Sequence, residues 1–352
     1  MIKKISLIIF NSIVFLIFLN LIIIIAWPIY SKYKPRNHNY TSKVIDLLDL
    51  NNEDLNILNK ETWHNYSKFK FLPFVGHTEK SREGKFVNFT EENGRQVIRP
   101  EKCSINIYMY GGSTTFGYNV TDQQTISQYL QNNLGENYCI YNHGRAYYYS
   151  KQENALFFNH LEREKKIDVA IFLDGVNERC GSYEYANFLN NSFALLVERP
   201  YFMWKKSFKN LFYALPISQF ANLLFGKSRW INDPDNNILE VSSCKNKIPI
   251  NFLFQTRVEV RSGVCFIKKI KCLSLLQPFS GIHGIQIEAL LEKERKENLK
   301  KKYKELSKVK DLIIDISYIL NQNTNLSYVD GVHYSPKSNE LIALEISKLL
   351  NI

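Results

Sequence analysis

The middle of the chain alternates between short apolar runs and segments in which apolar and polar residues recur at helical spacing. The apolar runs lie at residues 105–110, 138–141 and 169–173, and each leads into a loop that contains Gly or Asn. Helical periodicity at residues 127–134 and about 151–164 separates them. Continuous apolar runs are typical of buried parallel strands, which need helical crossovers. The order therefore predicts a doubly wound parallel sheet with ligand sites at the carboxyl ends of its strands.

The last third of the chain continues this alternation. Residues 272–276 predict a fourth strand, and a long charged helix is expected at about residues 287–306. A short strand at residues 326–329 precedes a final helix over residues 336–350. Ser335 followed by Pro is an ordinary helix start, with Ser as the N-cap and Pro at the first helical position.

The N-terminus has a different pattern, because residues 5–26 are apolar and uncharged. Lys3 and Lys4 precede the stretch, and Trp27 and Tyr30 follow it at the depth of a membrane interface. A helix of this length spans a hydrocarbon core of about 30 Å. The sequence predicts an uncleaved transmembrane anchor over residues 1–30. Basic residues on both sides of the span leave its orientation open.

Three further regions follow the anchor. Residues 31–100 are polar and irregular, which predicts a stalk and an N-terminal extension that packs on the main domain. The main domain is expected over residues 101–352. Within it, residues 184–255 are rich in aromatic side chains and weakly periodic, so we interpret them as an insertion that covers the edge of the domain.

Composition narrows the class of protein. The chain has 352 residues, of which 45% are hydrophobic, as expected for a globular protein with a large core. The net charge of +11 reflects in part a run of alternating Lys and Glu at residues 292–310, which is typical of a solvated helix face. No nucleic-acid-binding motif accompanies this charge, so we expect no nucleic-acid partner. A membrane surface or an acidic glycan is the favoured anionic neighbour.

The cysteine pattern argues against a metal site. The six cysteines form no C-x-x-C pair and match no zinc-ligand spacing. Disulfides and buried free thiols remain equal alternatives. The cysteines are at positions 103, 139, 180, 244, 265 and 272.

Ser113 is the candidate nucleophile. It follows Gly111 and Gly112 at the turn from the first predicted strand to a helix. Such glycines allow a tight turn and let a substrate carbonyl approach the backbone N–H of the serine. The segment lacks the G-x-S-x-G elbow and the phosphate-binding loop, and Gly-Gly-Ser alone is a common loop.

Asp330 and His333 are candidates for the other members of a triad. Their spacing lets the carboxylate reach the imidazole within one loop, which would fix the tautomer so that the second ring nitrogen accepts the serine proton. The loop follows the last predicted strand, so we expect it at the same edge of the sheet as Ser113.

Two more loops offer donors for a developing oxyanion. Gly144 lies in the Asn-His-Gly segment after the second strand, and Asn177 follows the third strand. Their backbone and side-chain amides could join the backbone N–H of Ser113 as three donors. His143 could also touch substrate, and Arg145 and Arg179 could hold an acidic one, although turn residues and surface charges are the simpler interpretations.

This order of residues resembles the sequence blocks of the SGNH/GDSL hydrolase family. Ser113 matches the serine of block I, Gly144 the glycine of block II and Asn177 the asparagine of block III. Asp330 and His333 match the D-x-x-H of block V. The resemblance covers about residues 86–350 and is greatest to the bacterial membrane-anchored branch.

Two positions depart from the family pattern. Gly112 stands where the family name has Asp, and Glu178 replaces the Asp of block III. Neither position belongs to the triad, so the departures have little effect on the expected mechanism. They leave the substrate preference open.

The resemblance implies a three-layer α/β/α flavodoxin-like fold and an extracytoplasmic (periplasmic) serine esterase without a cofactor. It would act on an acylated glycan or lipid, with an O-acetyl ester as the expected bond. The same triad would also serve an O-acyltransferase that modifies a surface polysaccharide. A non-catalytic glycan-binding or assembly protein on this fold is the third alternative. The sequence does not indicate the oligomeric state.

Overall fold

The computed structural model describes residues 10–12, 14–22, 46–63, 69–178, 248–286, 293–309, 311–322 and 325–350. The chain divides into two compact units. One comprises Met1–His38 and Glu198–Asn236, and the other comprises Asn39–Val197 and Asn237–Ile352.

In the first unit, the described residues 10–12 and 14–22 are helical. Their apolar side chains are largely exposed, for example Phe15 at 66% and Phe18 at 65%. No helix in the described part of the chain combines the length and apolar character needed to cross a membrane. The remainder of the predicted anchor, residues 1–9, 13 and 23–30, lies outside the described residues.

The second unit contains a two-stranded sheet and a central sheet that has seven strands among the described residues. The strands are β1 (Phe69–Leu72), β2 (Gly76–Glu79), β3 (Phe89–Thr90), β4 (Gly94–Arg95), β5 (Ile105–Gly111), β6 (Tyr138–Gly144), β7 (Val169–Asp174), β8 (Lys271–Leu276) and β9 (Ile314–Asp315). The helices are α1 (Asn52–Trp63), α2 (Ser113–Phe116), α3 (Ile126–Leu134), α4 (Ser150–Glu162), α5 (Ile250–Lys268), α6 (Lys293–Leu306) and α7 (Pro336–Leu349).

The central sheet is mostly parallel, with the order β3-β4-β6-β5-β7-β8-β9. Only the β3–β4 pair is antiparallel among these strands. Counted from β5, the last five strands have the order 2-1-3-4-5, which is the doubly wound order of flavodoxin-like sheets. In such sheets, ligands bind where the order reverses, and here that point lies between β5 and β7.

Alternation along β5 explains the helices on both faces of the sheet. Ile107 and Met109 point into a core that also contains residues of α3 and α7. Tyr108 and Tyr110 point to the other face, into a core shared with α4 and α5. Successive side chains of a strand alternate between faces, so β5 is apolar on both sides and is buried between two helical layers. The mixed α/β architecture predicted from the sequence is confirmed.

The predicted elements agree with the structure except at some ends. Strands β5, β7 and β8 match the apolar runs within one residue, while β6 extends three residues further than predicted, to Gly144. Helix α7 begins after Ser335, whose side chain accepts a hydrogen bond from Ser338 N–H as expected of an N-cap. Helix α6 is described from Lys293 onward, and residues 287–292 lie outside the described residues.

The predicted strand at residues 326–329 is wrong. Leu326 forms an isolated parallel bridge with Ile285, and Tyr328 forms an isolated antiparallel bridge with Tyr334. The last strand of the sheet is β9, which pairs with β8. Strand β9 has only two residues, of which Ile314 is exposed and Asp315 is partly buried, so it lacks the apolar run that marks the longer strands of the sheet.

The N-terminal extension is more regular than its polar sequence suggests. It contains α1 and β1–β4, and β4 pairs in parallel with β6 of the central sheet. Of the predicted stalk, residues 31–45 and 64–68 lie outside the described residues, as do residues 184–247 of the predicted insertion. Residues 250–255, which were predicted to belong to the insertion, instead form the first part of helix α5. This helix belongs to the layer that packs on the sheet.

Two disulfides lie among the described residues. Cys103 pairs with Cys139, with a Cα–Cα distance of 5.6 Å, and Cys265 pairs with Cys272, with a Cα–Cα distance of 6.1 Å. Of the two alternatives for the cysteines, the structure therefore shows disulfides at these four positions.

Candidate active site

Ser113 is the first residue of α2, and only Gly112 separates it from the carboxyl end of β5. Gly112 precedes it with extended backbone (φ −81°, ψ −156°) as the N-cap of the helix. The turn is tight, because a Cβ placed on Gly111 would lie 1.9 Å from Thr115 Oγ1. The two glycines let the chain pass from strand to helix, and they leave Ser113 partly exposed.

Asp330 and His333 lie in a turn that is closed by backbone hydrogen bonds just before α7. Val329 N–H donates to His333 O at 2.9 Å, and Ser335 N–H donates to Ser327 O at 2.9 Å. These bonds bring the two ends of the turn together, so the side chains at its tip have a defined position relative to the sheet.

The structure brings the three predicted triad residues into one hydrogen-bonded row. His333 Nε2 lies 2.9 Å from Ser113 Oγ, across 220 residues of sequence. On the other side of the ring, His333 Nδ1 lies 2.6 Å from Asp330 Oδ2. A carboxylate only accepts, so Nδ1 carries the proton and Nε2 faces the hydroxyl as an acceptor. In this arrangement the imidazole can take the hydroxyl proton of the serine.

Asp330 accepts hydrogen bonds at both carboxylate oxygens. Oδ1 accepts from the backbone N–H groups of Val332 and His333, each at 2.7 Å. Oδ2 accepts from the His333 ring and from Asn119 Nδ2 at 2.6 Å. Burial alone would raise the pKa of Asp330, but the charge of His333 and the bonds from its ring and the backbone lower that pKa to about 2. The carboxylate is therefore ionised at neutral pH.

The side chain of Asn177, in the loop after β7, also lies close to Ser113. Its Nδ2 donates to Tyr148 O at 2.8 Å. The same nitrogen packs on Gly112, where an added Cβ would lie only 2.6 Å from it. The side-chain amide of Asn177 thus lies beside the residue that precedes Ser113, as expected if neighbouring parallel strands end at one edge of the sheet.

Glu178 anchors the Asn177 loop to helix α4. Its Oε1 accepts from Ser150 N–H at 2.6 Å, and its Oε2 accepts from Ser150 Oγ at 2.9 Å and from Arg257 at 3.1 Å. Burial raises the pKa of Glu178, and the positive charge of Arg257 opposes that shift. Glu178 therefore has a structural role, because it fixes the Asn177 loop to helices α4 and α5.

Gly144 does not occupy the position predicted for an oxyanion donor. Residues 142–144 belong to β6, not to a loop after it, and Gly144 N–H donates to Asn142 Oδ1 at 3.0 Å. The missing side chain has a packing reason, because a Cβ at Gly144 would lie 2.3 Å from Phe116 N. The prediction for Gly144 is therefore corrected: its N–H is already engaged, and glycine is needed where β6 passes close to α2.

Among the solved structures that this chain resembles are GDSL-type lipolytic proteins and esterases. A putative lipolytic protein of the G-D-S-L family from Desulfitobacterium hafniense DCB-2 is 13% identical, with a TM-score of 0.38, over 69% of this chain and 98% of that one. The aryl esterase of M. smegmatis is 11% identical, with a TM-score of 0.36, over 70% and 98%. The acetyl xylan esterase AlAXEase is 14% identical, with a TM-score of 0.37, over 70% and 100%.

Searches with family models and among curated proteins return no match for this sequence.

Three residues at the site carried no recognisable motif in the sequence. The Tyr118 ring stacks on His333, with centroids 5.5 Å apart and planes at 21°. The Trp63 ring packs against the same imidazole in an edge-to-face arrangement, with centroids 5.7 Å apart. Asn119 donates to Asp330 and has a left-handed backbone (φ 64°), a conformation that Asn tolerates better than most residues. In the sequence, only the tolerance of Asn for left-handed turns could have indicated Asn119 as a site residue.

Arg145 and His143, which were also candidate site residues, lie in a buried polar cluster. Arg145 Nε lies 3.2 Å from Thr78 Oγ1 and 3.5 Å from Glu79 Oε2. Burial and then the neighbouring His160 lower the pKa of His143 well below its ordinary value. Both residues are therefore interior, in contrast to the predicted turn or surface positions.

Arg179 lies outside the described residues. In the described part of the chain, no group of three or more His, Cys, Asp or Glu side chains is arranged to bind a metal ion.

Proposed function

We propose that this chain is a serine esterase of the SGNH type, which cleaves an acyl ester through an acyl-serine intermediate. The observation that carries the proposal is the continuous row from Ser113 Oγ through the His333 ring to Asp330, with distances of 2.9 and 2.6 Å. A serine hydroxyl is a weak nucleophile unless an adjacent base accepts its proton, and this row supplies the base and the group that orients it.

The chemistry follows from the positions of the protons. Ser113 Oγ attacks the acyl carbonyl carbon while its proton passes to His333 Nε2. The tetrahedral intermediate collapses when the imidazolium returns that proton to the leaving alkoxide, which departs as an alcohol. A water molecule then attacks the carbonyl carbon of the acyl-serine while His333 accepts its proton. The bond from the acyl carbon to Ser113 Oγ breaks, the carboxylic acid leaves, and His333 returns the proton to Oγ. Asp330 remains an anion throughout and stabilises the imidazolium.

Two donors are suited to the oxyanion of the intermediate. The backbone N–H of Ser113 is at the first position of α2, where helix N–H groups have no partner within the helix. The Asn177 amide packs on Gly112 from the neighbouring loop. Because Asn177 Nδ2 carries two hydrogens, one can remain bonded to Tyr148 O while the other faces the oxyanion.

The substrate class comes from the family resemblance: an acylated glycan or lipid, with an O-acetyl ester as the expected bond. The site is not predicted to need a cofactor. Acetyl transfer from the acyl-serine to an added sugar hydroxyl, in place of hydrolysis, would instead identify the chain as an O-acyltransferase.

The decisive experiment is covalent labelling combined with esterase kinetics. A fluorophosphonate probe should label the wild-type protein at Ser113, and p-nitrophenyl acetate should be hydrolysed. Ser113→Ala should lose both properties while keeping its melting temperature. Ser104→Ala, a change of an exposed serine before β5, is the matched control and should keep both. Labelling elsewhere, or full activity of Ser113→Ala, would exclude the triad. A wild-type protein that neither labels nor hydrolyses the ester would leave the binding-protein alternative.

We further propose that the domain works outside the cytoplasm, tethered by the N-terminal helix. The disulfides Cys103–Cys139 and Cys265–Cys272 support an oxidising compartment, where such bonds persist. The uncharged run at residues 5–26 supports the tether. The full-length chain should remain with membranes in salt washes and be released by detergent. Recovery in the soluble fraction without detergent would contradict the tether.

A further inference from the structure

Helix α1 of the N-terminal extension ends against the proposed triad. Trp63, its last residue, donates a hydrogen bond from indole Nε1 to Asn119 Oδ1. Asn119 Nδ2 in turn donates to Asp330 Oδ2 at 2.6 Å. The row Ser113–His333–Asp330 therefore continues through two more side chains, to a helix that lies before the first strand of the central sheet.

The chemistry of the partners fixes the orientation of the Asn119 amide. An indole N–H can only donate, and an ionised carboxylate can only accept. Hence the amide oxygen must face Trp63, and the amide nitrogen must face Asp330. With the amide reversed, its oxygen would lie against the carboxylate and its nitrogen against the indole N–H, so both bonds would be lost.

We infer that Trp63 and Asn119 are positioning residues of the active site, which hold Asp330 and through it the His333 ring. This inference rests on the proposed function. Backbone N–H groups restrain Asp330 Oδ1, while Asn119 restrains the oxygen that bonds to the ring. Trp63 acts twice, because its N–H orients Asn119 and its ring packs against the imidazole, with the two ring planes at 66°. Helix α1 is thus part of the catalytic unit.

The test uses one variant that removes the bond between Trp63 and Asn119, and one that removes both bonds of the Asn119 side chain; both keep the backbone. Trp63→Phe keeps a ring beside His333 but removes the indole N–H. Asn119→Gly removes the side chain at a position with φ of 64°, which glycine adopts without strain. Asn119→Gly loses a bond to a charged group and should lower kcat for p-nitrophenyl acetate about ten- to a hundredfold, with KM little changed. Trp63→Phe loses a bond to a neutral amide oxygen and should lower kcat about two- to tenfold. Asn56→Ala, on the exposed part of α1, is the matched control and should keep the wild-type kcat.

The two positions should be coupled in a double-mutant cycle. If Trp63 acts through Asn119, Trp63→Phe should cost little further kcat once Asn119 is Gly. A readout that folding alone would not move is the division of the effect between kcat and KM. Loss of the Asp330 restraint should lower kcat and leave KM unchanged, because His333 acts in the transition state, whereas a change in the shape of the pocket would alter KM.

The outcomes separate this inference from the proposed function. If the wild-type protein neither hydrolyses ester nor labels at Ser113, the proposed function fails. If it does both, while Trp63→Phe and Asn119→Gly keep the wild-type kcat or lose it additively, the positioning role alone is overturned. Should Asn119→Gly fold poorly, the kcat and KM of Trp63→Phe still decide the question, because an unchanged kcat in that variant would overturn the positioning role.

Discussion

The side-chain amide of Asn177 packs so closely on Gly112 that a methyl group at position 112 would lie 2.6 Å from Nδ2. The two residues belong to loops after neighbouring strands, β7 and β5, and they meet only because those strands run parallel. Glycine at position 112, where the family name has Asp, therefore leaves the space that Asn177 occupies.

This contact predicts the effect of a single methyl group. Gly112→Ala should push Asn177 away from Ser113 and lower kcat by up to about a hundredfold, since misplacements of about 1 Å cost that much. KM should change little. Gly263→Ala is the matched control, because a Cβ there meets nothing within 4 Å and the residue lies within α5. Normal activity in Gly112→Ala would show that the position of Asn177 is unimportant.

Removal of the proposed oxyanion donor should affect the transition state more than the bound substrate. We expect Asn177→Ala to lower kcat by about a hundred- to a thousandfold with KM nearly unchanged, because the bond strengthens only as charge develops. The melting temperature should hold, apart from the small effect of losing the bond to Tyr148 O. A variant that melts early but hydrolyses ester at the normal rate would assign Asn177 to turn structure instead.

The low pKa of Asp330 predicts a loss of stability in acid. Its pKa falls from an ordinary 3.8 to about 2, so the folded state binds the proton less readily than the unfolded chain. Asp330 therefore contributes stability that is fully present above about pH 4 and is lost as the pH falls through about 2. Denaturant unfolding between pH 5 and 2 should show a steeper loss for the wild type than for Asp330→Asn. Parallel curves would contradict this assignment.

A buried ion pair beneath the site should matter for folding. Arg261 and Asp174 are both fully buried, and Arg261 donates to both carboxylate oxygens. Arg261→Leu leaves the carboxylate buried without this partner, which typically costs about 3–5 kcal/mol in the free energy of unfolding. Thermal melts should show a clear decrease. Lys300→Ala breaks the exposed pair with Glu297 and should change stability by less than about 1 kcal/mol. Equal effects would argue against the importance of burial.

Much of the fold was readable from local patterns. The buried strands β5, β7 and β8 carry continuous apolar runs, and Ser335 followed by Pro marks the start of α7. Strand β9 and the short strands of the extension were not readable, because strands of two to four residues at sheet edges lack a periodic pattern. Their positions depend on pairing with partners that are distant in sequence.

The candidate site, like the fold, was predictable only in part from the sequence. Ser113, Asp330 and His333 stand in motifs whose residue types and order suggest acyl-transfer chemistry, so the sequence alone determined which side chains to examine. Only the tertiary structure decided that Gly144 N–H is engaged by Asn142 within β6.

The contacts of Trp63 and Asn119 likewise follow from the tertiary structure alone. They join residues 56 positions apart, and then 211 positions apart, in the sequence. The physical reason is that local sequence sets backbone preference and burial, whereas the partner of a hydrogen-bond donor depends on which distant elements pack against it. For this chain, the sequence alone identified the triad residues at the carboxyl edge of the sheet. Only the packing of α1 and the loops decided which side chains hold those residues in position.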